Sequence, residues 1–208
     1  MGFADSVRLD TRIDHERAER SAFIVSLLAG ELDERAHVEL LRSLLPVYQA
    51  LEQLLLVQGQ EPSIARFDDR RLDRRGRIAA DLRTLGQEPD AVDQLPASRA
   101  YVRAIREAAV SPQRMLAHHY TRYLGDMAGG RVIASRLRSE YGIDPSALTY
   151  YDFSGLEDVH AYRKQYKVNL DEAPWTDHGK ALFIDECKVA YRANSQLFDE
   201  LGALVTAP

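Results

Sequence analysis

The chain contains a single cysteine, Cys187, among its 208 residues. It therefore has no intrachain disulfide and no cysteine cluster for zinc, which fits a reducing compartment and leaves the thiol free to act as a buried packing group. Glycine and proline are also scarce, at 12 and 8 residues, while 45% of the chain is hydrophobic. That balance excludes a disordered or low-complexity polymer and points to one compact domain. Neither sign of charge dominates: 27 basic residues face 32 acidic ones, a formal charge of -5. The total gives no general affinity for nucleic acid or an anionic membrane, so any basic function must be local.

Long uninterrupted apolar runs are missing too. The greasiest stretch, VELLRSLLPVYQALEQLLLV, is broken by Glu39, Arg42, Gln49, Glu52 and Gln53 about once per helical turn, the mark of an amphipathic helix rather than a lipid-facing one. At the amino end Asp5, Arg8, Asp10, Arg12 and Asp14 come before any apolar core can form. A targeting segment, secretion and stable membrane association are not expected, and a cytoplasmic monomer is.

What is present reads as helix. A first helix is expected from Asp5 to Leu28 with Gly30 as its stop, and a second from an Asp33 cap to about Gln58, bent or disrupted at Pro46. After a loop over Gly59 to Phe67, DDRRLDRRGRIAADLRTLG reads as a charged helix ended by Gly86, its Arg and Asp residues serving a solvated face. Further helices are expected at Ala97 to Ala109, from Ser111 and Pro112 through Tyr141, at Leu156 to Leu170, and from a Thr176 cap to Leu201. YGIDPSALTYYDFSG, with its turn residues, is an irregular crossing. The expectation is an all-α, single compact domain over residues 1–208, with seven or eight helices and short, less ordered tails.

The strongest local anomaly is Gly125, Gly129 and Gly130 inside a helix-friendly segment, since each interior glycine costs roughly 0.5–1 kcal/mol relative to alanine. Gly125 and Gly129 are four apart and share a face, where a flat ligand or another helix can approach the backbone closely. Beside them, Asp126 is suited to orient water or relay protons, with Arg122, Tyr123 and Tyr120 in the preceding turns. It is equally suited to pair with Arg122 at i,i+4 spacing. The glycines lack the preceding strand and the Lys-Ser/Thr pair of a phosphate loop. His15 is the second candidate: Glu19, one turn later, can hold one imidazole nitrogen while the other binds iron, against the reading of a surface or packed histidine. His118 and His119 diverge by about 100 degrees on a helix and are read as packing or hydrogen-bonding groups. A rival di-iron reading pairs Glu34 with His37 and Glu157 with His160, and takes Glu16 and Glu52 as further carboxylates.

HERAERSAF followed by HHYTRYLGDMAGGRVIA, with LPVYQALEQ and YGIDPSAL between and after, closely resembles the heme oxygenase family, particularly its soluble bacterial members, over Ser6 to Phe198. That resemblance implies heme b as substrate and cofactor, held between the first helix and a kinked glycine-containing distal helix. It makes His15 the iron ligand and Glu19 its partner. Gly125, Gly129 and Gly130 give close approach and flexibility, and Asp126 organises distal water with Arg122 and Tyr48 in support. Arg8, Tyr120, Arg163 and Lys167 are implied to meet the propionates; Lys167 stands where relatives commonly carry Arg, and Ala128 where many carry Ser. The implied reaction opens heme to biliverdin with release of ferrous iron and carbon monoxide, using O2 and electrons from an external reductase or ferredoxin, in iron acquisition or heme turnover. A non-degrading heme carrier or sensor would share His15 and the glycine-lined pocket.

Overall fold

The computed structural model describes residues 2–59, 61–89 and 94–206; Gln60, inside the expected first loop, and the tail residues 1, 207 and 208 lie outside the described residues. The described chain is all helical, without a strand: α1 (Phe3–Asp10), α2 (Arg12–Glu19), α3 (Ala22–Ala29), α4 (Glu34–Gln58), α5 (Arg75–Thr84), α6 (Pro96–Ala108), α7 (Pro112–His119), α8 (Gly125–Tyr141), α9 (Val159–Asp171) and α10 (Asp177–Val205). A π-helical segment, Tyr120–Leu124, joins α7 to α8, so the two form one rod and the described helices number nine. The excess over seven or eight comes from the amino end, where three short helices replace the single one expected over Asp5 to Leu28.

Hydroxyl chemistry explains those breaks. Thr11 turns its Oγ1 back to the Val7 carbonyl at 2.7 Å, and its backbone leaves helical geometry. Ser21, in extended geometry, caps α3 by accepting from the Ile24 N–H at 3.4 Å. Gly30 then ends α3 in the left-handed conformation at φ 76°, a geometry that favours glycine. The consequence is that α2, which carries His15, takes its own direction.

The long spine is α4, capped by Asp33, whose carboxylate accepts from the Ala36 N–H. It stays helical through Pro46 rather than breaking there, and Leu44, Leu45, Val47, Tyr48 and Pro46 itself are all buried. Burying each such side chain is worth roughly 1.5–3 kcal/mol, which offsets the roughly 3 kcal/mol cost of an interior proline. Only α4, among the described residues, has the length and hydropathy of a membrane span, and 67% of that stretch is buried inside the protein. One contiguous core extends from Ala4 to Leu201 and draws on nearly every helix.

The charged segment departs from its expected role. The helix begins only at Arg75, after a 3-10 turn at Arg70–Leu72, and Arg74 is fully buried rather than solvated. Its guanidinium lies 4.1 Å from the Phe153 ring centroid and donates to carbonyls of Leu72, Asp73, Tyr150, Asp152 and Arg71. Burial lowers its pKa to about 10, which leaves it a cation at neutral pH. Asp81, from the same segment, is fully buried as well.

Candidate functional site

A cleft of about 350 Å³ opens between α2, α3, α4, α8 and α10, and residues from opposite ends of the sequence line it. His15, Ala18 and Glu19 come from α2; Gly125, Asp126, Ala128, Gly129 and Gly130 come from α8. Ile24, Leu28, Leu40, Leu44, Val132, Ile133 and Phe198 give it a mainly apolar lining with a few polar groups, the usual character of a small-molecule site. A second cavity, about 550 Å³ between α4, α5 and α6, is lined by Arg75, Arg99, Arg103 and Arg106 and, among the described residues, by no histidine or carboxylate.

His15 reaches the cleft with its Nδ1 3.4 Å from Glu19 Oε2 and its ring edge-on to Tyr191, centroids 5.3 Å apart. That pairing engages Nδ1 and leaves Nε2 as the ring nitrogen available to a ligand. An ideal Cβ built on Gly125 or Gly129 meets nothing within 4 Å. No neighbouring helix occupies that face, so close helix packing does not account for these two residues; the missing side chains keep the cleft open. Gly130 differs, because a Cβ there would lie 3.3 Å from the Tyr151 ring. Its bareness serves packing as well as the cleft.

Asp126 is nearly buried, and Arg122 Nη2 donates to its Oδ1 at 3.0 Å, so the i,i+4 pair expected from the spacing is formed. Tyr150 donates to the same oxygen at 2.9 Å. Arg122 also donates to Asn194 Oδ1 at 2.7 Å, to Tyr150 at 3.0 Å and to the Tyr48 hydroxyl at 3.3 Å. Tyr48 is fully buried behind Arg122 and does not line the cleft. Asp126 Oδ2 is buried without a partner, an unsatisfied polar atom of the kind that marks functional sites. Burial pushes the Asp126 carboxyl well above the ordinary carboxylate range, and the Tyr150 hydrogen bond opposes that shift. Tyr150 and Asn194 were not visible as site residues in the sequence, since they lie in the irregular crossing and on the last helix.

The π segment sits directly before Gly125. That position agrees with the tendency of π-bulges to occur at functional sites.

Arg8, Tyr120, Arg163 and Lys167 do not line this cleft. Tyr120 is buried in the π segment, where burial raises its pKa and the nearby Arg163 and Arg8 cations pull the other way. Arg163 Nε is buried without a partner, and Lys167 is exposed one turn further along α9. The di-iron reading fails. Glu34, Glu157 and His160 are exposed, His37 is fully buried beside the Ala147 carbonyl and Tyr151, and Glu52 accepts from the Arg74 and Arg75 N–H groups. No group of metal-ligating side chains converges among the described residues. His118 pairs with Glu186 at 3.0 Å and His119 with the Tyr166 hydroxyl at 2.9 Å, the local roles expected of them.

Fold and site together define an all-α protein whose imidazole-bearing and glycine-faced helices share one mainly apolar cleft. The chain belongs to the heme oxygenase family, whose model, described as heme oxygenase, matches residues 1–200. It is 29% identical over 209 residues to heme oxygenase 1 of Nostoc sp., covering 98% of this chain and 88% of that protein. It is 30% identical over 207 residues to a heme oxygenase of Porphyra purpurea, covering 97% and 87%. Its fold matches the crystal structure of heme oxygenase-1 from the cyanobacterium Synechocystis sp. in complex with heme, with a TM-score of 0.92, 25% identity, and coverage of 99% of this chain and 94% of that one.

Proposed function

We propose that the protein binds heme as its substrate and opens the porphyrin ring to biliverdin, with release of ferrous iron and carbon monoxide, at the expense of O2 and externally supplied electrons. The observation that carries this reading is the cleft itself, in which His15, the open face of Gly125 and Gly129, and the unpartnered Asp126 Oδ2 share one space. The donor set fits heme. The Glu19 contact leaves the second ring nitrogen of His15 to a ligand, the lining is mainly apolar, and bare backbone lies where a macrocycle needs room.

When bound, heme supplies the iron at which O2 is reduced and the ring carbon that is oxidised. His15 holds the iron through Nε2, with Glu19 fixing the imidazole through Nδ1. The bare face of Gly125 and Gly129 would let the macrocycle approach the α8 backbone closely and so restrict its orientation. Asp126 Oδ2 orients water and hands on protons, while Arg122 and Tyr150 hold its other oxygen in place and Tyr48 accepts from Arg122. Tyr120, Arg8, Arg163 and Lys167 lie outside the cleft lining and would meet only propionates that extend beyond it, Lys167 as a point charge. A separate redox protein delivers the electrons.

Anaerobic reconstitution with hemin, followed by reductant and O2, tests the reading. A Soret band that gives way to biliverdin with carbon monoxide supports it. A stable heme spectrum without ring opening overturns it in favour of a heme carrier or sensor.

A further inference from the structure

The 3-10 turn within the irregular crossing does more than connect helices. We propose that Tyr150 and Asp81 together orient the Asp126 carboxylate, Tyr150 by direct contact with it and Asp81 as a positioning residue that holds Tyr150. The inference deepens the heme reading but depends on it only for the task of Asp126, not for how Asp126 is held.

The geometry runs through three steps. The Tyr150 hydroxyl donates to Asp126 Oδ1 at 2.9 Å and accepts from Arg122 Nη2 at 3.0 Å, so both its proton and a lone pair are committed. Oδ1 thus receives two donors, Tyr150 and Arg122, and the carboxylate is fixed with the unpartnered Oδ2 as its remaining group. Tyr150 in turn lies in a 3-10 turn, Thr149–Tyr151, and cannot hold that position through helical hydrogen bonds. Asp81 Oδ2 accepts from the Tyr150 N–H at 2.7 Å, while Oδ1 accepts from the Thr149 N–H at 3.0 Å and the Thr149 hydroxyl at 2.5 Å. Arg74 Nη1 donates to the Tyr150 carbonyl at 3.2 Å from the other side.

Asp81 is fully buried and directs every hydrogen bond it makes at this turn. A buried carboxylate is costly, and charge-assisted bonds to backbone N–H groups are what make it tolerable. The groups facing Asp126 are Arg122 on its own rod, Tyr150 and Tyr151 on the turn, and His15, Glu19 and Tyr191 among the residues lining the cleft. Of these, Arg122 and Tyr150 are the two donors to the carboxylate, and the Tyr150 hydrogen bond acts against burial to favour its ionised form.

The test uses the full chain without heme. Aspartate side chains are labelled with carbon-13, the Asp126 signal is identified by its loss in D126N, and its titration is followed by NMR. Y150F keeps the ring and removes one donor, so the Asp126 midpoint should rise by about one pH unit, a tenfold change in proton affinity. D81N should shift it in the same direction, and the Y150F/D81N pair no further than Y150F alone. Where D81N does not fold, T149V, which removes one Asp81 donor at constant shape, should give the same-direction shift and decides the matter. An unchanged midpoint in Y150F, or a D81N or T149V shift that persists undiminished in the Y150F background, overturns the proposal. Hemin titration of the same proteins reports separately: absence of a Soret band in the unsubstituted protein defeats the heme reading and leaves the Asp126 titration to stand on its own.

Discussion

Gly129→Ala separates what the fold needs from what the cleft needs. Alanine in a helix is favoured over glycine by roughly 0.5–1 kcal/mol, because the unfolded chain loses freedom and the helix keeps its hydrogen bonds. Gly129 has helical geometry, and a Cβ there meets nothing within 4 Å, so no clash offsets that gain. The heme-free protein should therefore gain about 0.5–1 kcal/mol, which raises Tm by about 1–4 °C for a chain of this size. Gly130→Ala is the control, since its Cβ would press on the Tyr151 ring at 3.3 Å and cancel part or all of the same gain. Heme binding should move the opposite way. A methyl group placed against a close-packed ring costs about 1–3 kcal/mol, or about five- to hundredfold in hemin affinity. Urea and thermal melts of the heme-free protein, with hemin titration by Soret absorbance, read both quantities. A G129A protein that melts below the unsubstituted one refutes the open-face argument, and one that is stabilised yet binds hemin undiminished refutes the placement of heme against that face.

His15→Ala should abolish normal axial ligation and shift the heme spectrum; an unchanged iron spectrum assigns the ligand elsewhere. Asp126→Asn should retain hemin binding within a few fold and slow ring opening by about a hundredfold, the lower range for loss of a positioned proton-transfer group, with biliverdin formation as the readout. Acid stability follows from His37 and His119, whose pKa values burial lowers from 6.5 to about 4 and about 3. Because both fold neutral, the unfolded chain binds more protons below pH 6.5, so stability is full above that value and falls with pH toward 4. Each histidine should account for about 2 kcal/mol lost between pH 7 and pH 5, and urea midpoints of His37→Gln that show the same acid slope as the unsubstituted protein would contradict the assignment.

Two features of the site work through distant packing. The ion pair of Arg122 with Asp126 is local, but its geometry is completed by Tyr48 of α4, Asn194 of α10 and Tyr150 of the crossing. Removing any one of these leaves an arginine that is only 5% exposed with a lost acceptor, and such losses cost about 1–3 kcal/mol each. The buried Arg74 plays a comparable part for the crossing, tying Asp152 and Tyr150 to the start of α5.

Amphipathic spacing, caps and stops reach far into this fold. Asp33, Ser111 and Thr176 start helices where their hydroxyls or carboxylate predict, and Gly30, Gly86 and Gly142 take the left-handed conformation at segment ends. These are local effects, carried by residues within one turn of each other, and sequence alone determines them. The Arg122–Asp126 pair and the shared face of Gly125 and Gly129 belong to the same class. Whether that glycine face met a helix or open space was decided only by the tertiary structure, because an absent side chain carries no record of what approaches it. The burial of Arg74 and Asp81 and the arrival of Tyr150 at Asp126 were likewise settled by packing between segments far apart in the chain. A polar residue reads as solvated until the elements that satisfy its hydrogen bonds are brought around it, and those elements lie beyond the reach of any local pattern.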